Sequence, residues 1–213
     1  MPTSRSASRA NSNARAEIIE TLTADHKRVR KAFRDFGKMD AEEDPEGCEA
    51  LVNQTLAELE VHTSLEEELF YPSVRGALKE ADLVDEAEVE HMSAKQLIEQ
   101  LRAMSPGDDK YSATFTVLGE YVNHHIKEEE REMFPQLERT RGVDWATLQQ
   151  EMETRREELM AEHMPEMAGE EEEESPLQAV GQAMAEMGSD DKDTGRPRRS
   201  GSQPRRATTS RTV

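Results

Sequence analysis

A single cysteine, Cys48, is all the thiol that this chain of 213 residues contains. That excludes an internal disulfide framework, fits a reducing compartment, and leaves no second thiolate for a cysteine-based zinc or iron-sulfur site. Any metal must be held by histidine and carboxylate. Aromatics are also scarce, at 4% of residues, and apolar residues make up 34%. With a formal net charge of -19, the chain has too little apolar surface to bury all of itself, so one core domain with tails is expected. No apolar run approaches the roughly 20 residues that span a bilayer, and the opening MPTSRSASRANSN holds no apolar segment of a secretory signal. A cytoplasmic location without membrane contact is expected. The core also lacks a basic face to attract phosphates, which makes nucleic acid an unfavoured partner.

What the sequence does have is helical periodicity. Ile18, Leu22, His26, Val29, Phe33 and Phe36 recur at steps of three and four, one stripe of an amphipathic helix ending near Gly37. Val52, Thr55, Leu59, His62, Glu66 and Leu69 repeat the pattern as far as Pro72, which is expected to break or kink that helix. A third stripe runs through Val84, Ala87, His91, Ala94, Ile98 and Leu101, closed by Ser105, Pro106 and Gly107. A fourth carries Phe115, Leu118, Val122, His125, Glu129 and Met133 before Pro135. Nothing alternates as a strand would. Short links force sequential helices to lie antiparallel, so the expected fold is all-α, an antiparallel up-down-up-down four-helix bundle.

The expected organisation is a disordered arm over residues 1–13, the bundle over 14–140, an extra helix packed on it over 141–164, and a disordered tail over 165–213. Asp144 is a good N-cap for the extra helix, and Trp145, Leu148, Met152 and Leu159 form its inner face. The tail is acidic first, at Glu170 to Glu174, and then basic, in RPRRSGSQPRRATTSRTV. It is a candidate surface for a protein partner.

Of six histidines, four fall one per stripe: His26, His62, His91 and His125. A lone histidine on an apolar face is ordinarily a hydrogen-bonded core residue; four in register are harder to explain that way. His62-Glu66 and His125-Glu129 stand at i,i+4 spacing, which puts each pair on one helix face. Burying two carboxylates among four imidazoles costs several kcal/mol per uncompensated charge, and a cation reverses that sign. The nitrogen-oxygen set suits iron, manganese or zinc and disfavours copper(I). The simplest assignment is two metals, bridged by Glu66 and Glu129 and sharing the four histidines, with a solvent-derived bridge between them. HTSLEEELFYP, from His62 to Pro72, and HIKEEEREMFP, from His125 to Pro135, align with His, Glu, aromatic and Pro at matching offsets. That is the mark of a pseudo-twofold site, and it selects His125 over His124.

These pieces, together with Asp25-His26 followed by Arg30 and Phe33, and with Glu90-His91, resemble the hemerythrin family, specifically its bacterial His-His-Glu cation-binding domains, over residues 16 to 140. The resemblance implies a non-haem di-iron centre, zinc and manganese ranking behind iron, with dioxygen, nitric oxide, peroxide or iron itself as the relevant ligand. Oxygen-carrying members have two histidines one turn apart on the third helix. Here the positions four residues either side of His91 are Ala87 and Lys95. One iron then lacks an imidazole, which turns the expectation from oxygen carriage towards stress or redox homeostasis, with catalase-like or oxidase activity at the under-ligated iron. Glu88 and Glu90 are set aside as substitute ligands, because the stripe aims Glu90 away. Asp25 is left outside the site, and Tyr71 and Tyr121 have two readings, a bond to a metal-bound oxygen species and, the commoner case, helix packing. The Glu-x-x-His pattern of ferritin-like bundles occurs only at Glu88 to His91, and the zincin His-Glu-x-x-His pattern is absent. The alternative function is a metal-dependent adaptor whose charged tail binds a partner.

Overall fold

The computed structural model describes residues 4–138 and 140–163. Five long helical elements account for them: α1 (Ser4–Phe36), α2 (Pro45–Leu65), α3 (Asp82–Arg102), α4 (Tyr111–Glu128) and α5 (Trp145–His163). Among the described residues there is no strand, and no helix is long and apolar enough to cross a membrane. α1 to α4 form the antiparallel bundle, in which α1 lies beside α2 and α4, and α3 beside the same two. The periodicity succeeds because every stripe residue named for α3 and α4 is buried. α5 begins where expected: Asp144 Oδ1 accepts from the Thr147 amide at 3.2 Å. It follows a turn that needs Gly142 at φ 93°.

Three features differ from the sequence reading. The first is the arm: α1 starts at Ser4, not near Ala14, because residues 4–36 contain no proline or glycine to stop it. Asn11 gives the early turns a tertiary anchor, donating to the Val143 carbonyl at 3.1 Å and accepting from the Ala146 amide at 3.2 Å. The second is Pro72, which does not break its helix. A π turn, Glu66–Phe70, leads directly into a further helical turn, Tyr71–Val74, with the Tyr71 amide bonded to the Glu66 carbonyl. The wider i to i−5 turn relieves the clash that a proline ring imposes on the preceding turn of an ordinary helix. The third is that α4 does the same at Pro135, through a π turn Glu129–Met133 and helical Phe134–Leu137, with the Phe134 amide on the Glu129 carbonyl. Each inner glutamate thus opens a π turn. The tail over 165–213, with its expected disorder and its partner surface, lies outside the described residues.

The core divides into two apolar halves. One contains Leu22, Leu65, Phe70, Val84 and Met133, and α5 adds Trp145, Leu148, Met152 and Leu159 to it. The other contains Val29, Leu59, Ile98, Phe115 and Val122. Between them lies a buried polar layer.

Candidate metal centre

The polar layer is made of His26, His62, Glu66, His91, His125 and Glu129, each at most 6% exposed. The structure therefore brings all six sequence-derived candidates together. Their ligating atoms form two groups: His26, His62, Glu66 and Glu129, and Glu66, His91 and His125, with the atoms of each group within 4.8 Å of one another. Glu66 belongs to both. Its Oε2 lies 3.2 Å from His62 Nε2 and 3.5 Å from His91 Nε2, while Glu129 Oε2 lies 3.2 Å from His26 Nε2 and 3.4 Å from His125 Nε2. His124 stays on the surface, its side chain 65% exposed, beside Glu90 and Glu128.

All four histidines turn Nε2 inward because a carboxylate holds Nδ1 from outside. Glu130 meets His26 at 3.0 Å, Asp25 meets His62 at 3.3 Å, Glu67 meets His91 at 3.0 Å, and Glu90 meets His125 at 2.9 Å. These four supports close a ring: α1 holds the histidine of α2, the α2 π turn that of α3, α3 that of α4, and the α4 π turn that of α1. A carboxylate accepts only, so each Nδ1 carries the hydrogen and each Nε2 presents a lone pair, the form that ligates a metal. Three of the supports are neutralised by full cations. Asp25 is paired by Arg156 and Arg28, Glu67 by Lys95 and Glu130 by Arg30. Glu90 has His124.

Without a cation this arrangement is unfavourable. His91 Nε2 and His125 Nε2 stand 3.1 Å apart with lone pairs facing. His26 Nε2, His62 Nε2, Glu66 Oε1 and Glu129 Oε2 are buried without a hydrogen-bond partner. Burial, reinforced by the neighbouring charge of Glu129, pushes the Glu66 carboxyl well above the usual range. Burial works against ionised Glu129 as well, but His125 and His26 outweigh it and hold that carboxyl low. For His125, burial favours the neutral ring, yet the charges of Glu129 and Glu90 prevail and raise it. Protons are drawn to the positions that a cation would fill. The donor set and its orphaned atoms therefore fit a metal.

Sequence reasoning missed part of this construction. Asp25, left outside the site, is 3% exposed and orients His62. Glu90 does aim away from the centre, and there it holds His125. Tyr71 is no mere packing residue: its hydroxyl donates to Glu129 Oε1 at 3.0 Å and lies 3.5 Å from His91 Nε2, facing the group of Glu66, His91 and His125. Tyr121 is 50% exposed. The legible signal was the acids themselves, which directly precede the histidine in α1 and α3 and directly follow the glutamate in α2 and α4.

A helical bundle with two apolar halves around a closed layer of histidine and glutamate defines a cation-binding protein of the bundle class. The hemerythrin HHE cation-binding domain family model matches residues 17–137, and the chain belongs to that family. A hemerythrin HHE cation-binding domain-containing protein from Mycobacterium kansasii has the same fold, with a TM-score of 0.58 and 23% identity over 71% of this chain and 91% of that one. A protein named DNA nickase from Nostoc sp. (strain PCC 7120 / SAG 25.82 / UTEX 2576) is 28% identical over 134 residues, 61% of this chain. The chain spans only 37% of that relative's length.

Proposed function

We propose that the protein is a non-haem di-iron protein that acts on or senses dioxygen, nitric oxide, peroxide or iron. The observation that supports it is the convergence of four Nε2 lone pairs and two buried carboxylates, each imidazole held from behind by a carboxylate. His26, His62, Glu66 and Glu129 would hold one ion and His91, His125 and Glu66 the other. Iron at such positions supplies redox chemistry towards small oxygen- and nitrogen-containing ligands. The nitrogen-oxygen set by itself also accepts manganese or zinc, so metal identity is the first thing to test.

The chain's own residues govern access and size. A cavity of about 20 Å³ adjoins the four histidines, walled by Val29, Leu59, Ala94, Ile98, Val122 and Ile126. A single water needs roughly 10–15 Å³, so this space is of the size that a diatomic molecule or peroxide needs beside the histidines. On the other side Tyr71 offers a hydroxyl that burial, with the charges of Glu129 and Glu66, keeps protonated. The group of His91, His125 and Glu66 has fewer protein ligands than its neighbour, which favours redox or peroxide chemistry there over reversible oxygen carriage.

The test is metal content together with visible absorption, on full chain purified from iron-replete cells. Two irons per chain with a charge-transfer band are expected, with one iron remaining in His125→Ala and neither held firmly in Glu66→Ala. Zinc alone, or a chain that takes up no iron on anaerobic reconstitution, overturns the reading.

A further inference from the structure

The matched family region ends at residue 137, before α5 begins at Trp145. Yet α5 reaches the metal layer. Arg156 grips Asp25 with a two-pronged contact, Nη1 to Oδ1 at 3.2 Å and Nη2 to Oδ2 at 2.5 Å. Asp25 Oδ2 is also the atom that faces His62 Nδ1, at 3.3 Å. A planar guanidinium fixes a carboxylate in orientation as well as in charge. Asp25 has a second cation, Arg28, but that side chain is 51% exposed, leaves from the same helix and is shared with Glu58. Arg156 is 23% exposed and comes from a separate element.

The pseudo-twofold symmetry of the site shows what α5 adds. Asp25 in α1 corresponds to Glu90 in α3, each directly before a histidine and each supporting the histidine of the next helix. At the position matching Arg28, α3 has Ser93. No guanidinium pairs with Glu90 among the described residues; its other neighbour is the exposed His124, at 3.5 Å. The two halves of the site are thus supported unequally: Asp25 has Arg28 from its own helix and Arg156 from α5, and Glu90 has neither counterpart among the described residues.

We propose that Arg156 is a positioning residue for the metal centre, fixing Asp25 and through it His62, so that docking of α5 and occupancy of the group of His26, His62, Glu66 and Glu129 are coupled. The coupling is reciprocal: a metal that immobilises His62 also steadies α5, and an undocked α5 loosens that metal. The group of His91, His125 and Glu66 has no such tie and serves as an internal reference. This inference rests on the metal-centre reading above.

Anaerobic ferrous titration of the full chain, with hydrogen exchange of residues 145–163 followed in parallel, tests it. In Arg156→Gln the affinity of one of the two ions is expected to fall about 10-fold, the low end of the ~10- to 100-fold that loss of a ligand's direct outer partner costs, because Arg156 acts through Asp25, while the other ion binds as in the parent. Arg156→Lys recovers part of the loss and is also the milder change if Arg156→Gln folds poorly. In an Asp25→Asn background, Arg156→Gln adds nothing further. Iron slows exchange across α5 in the parent and not in Arg156→Gln. Arg155→Gln is the control for simple docking, since Arg155 ties α5 to Glu68 at 2.7 Å without touching Asp25. If Arg156→Gln binds both ions like the parent, or Arg155→Gln weakens iron equally, α5 is only a docked helix and the inference falls. A parent chain that binds no ferrous iron overturns the metal-centre reading itself.

Discussion

His91 and His125 point their Nε2 atoms at each other across 3.1 Å, and neither can donate to the other while Glu67 and Glu90 hold the ring hydrogens at Nδ1. Only a positive charge relieves that contact. In the metal-free chain the charge is a proton, and it is drawn to His125 and to Glu66, both raised above their ordinary values. Metal loading must therefore expel protons.

Loading near neutral pH is expected to release at least one proton per chain, and apparent metal affinity is expected to rise with pH. The sign follows from the raised values: a group that keeps its proton to higher pH competes longer with the metal. Calorimetric titration in two buffers of different ionisation enthalpy measures the release directly. A titration with no proton release would mean that the ligands are already deprotonated and the charge balance described here is wrong.

The features that sequence showed and those it hid differ in physical kind. The stripes of α3 and α4, and the pairs His62-Glu66 and His125-Glu129, depend on helical period alone, so they could be read directly. The carboxylate ring could not, because Asp25, Glu67, Glu90 and Glu130 act on a neighbouring helix, and such contacts depend on how far each helix is rotated about its axis. Tyr71 was hidden for another reason. In an unbroken α-helix a residue nine positions after His62 lies about 180° round the axis from it. The π turn at Glu66–Phe70 absorbs one extra residue, turning Tyr71 back by about 100° towards the site. Nothing in the composition of residues 66–72 marks that turn except the proline that follows it.

His62 should give the metal-free protein an acid-sensitive contribution to stability above the range where its surface carboxylates titrate. Burial drives the His62 ring down to about 4 from its ordinary 6.5, against the pull of Asp25. Between those values His62 is less protonated in the folded chain than in the unfolded one, so its contribution to stability is present above pH 6.5 and is lost as pH falls towards 4, by up to about 3 kcal/mol, while Glu66 and His125, both raised, act in the opposite sense. Glu67 extends the same trend lower: its hydrogen bond from His91 prevails over burial, with Lys95 assisting, and holds it at about 2, so its contribution is lost below pH 4.5. Urea unfolding at pH 7, 5.5 and 4 measures the slope. His62→Asn should flatten the upper part of it, and an unchanged slope in that variant would remove His62 as the cause.

Gly119 sits where α4 meets α1. A Cβ added there would lie 2.9 Å from Phe33 Cδ1, and Phe33 is itself packed on Phe115 at 4.8 Å between ring centres. Alanine gains about 1 kcal/mol of helix propensity over glycine, whereas overpacking a filled core costs about 1–3 kcal/mol. Overpacking should win, so Gly119→Ala is expected to lower stability by about 1 kcal/mol in thermal unfolding. Adding Phe33→Leu should restore much of it, which a purely helical effect would not do.

Tyr71 distinguishes a structural hydrogen bond from a metal-centre one. Its hydroxyl is the one donor at normal hydrogen-bond distance from Glu129 Oε1 among the described residues, at 3.0 Å, and Glu129 is an ionised carboxylate at 1% exposure. Removing a donor from a buried charged acceptor costs about 1–3 kcal/mol. Tyr71→Phe should therefore destabilise the metal-free chain by about 2 kcal/mol while leaving its helicity intact. With metal bound, Glu129 has a cation to balance its charge and the same substitution should cost much less. Urea unfolding of both proteins, with and without metal, gives the difference between the two costs. If that difference is zero, Glu129 gains no cation on loading and does not belong among the ligands; if the cost shrinks on loading, Glu129 and the metal share the charge that the phenol otherwise stabilises alone.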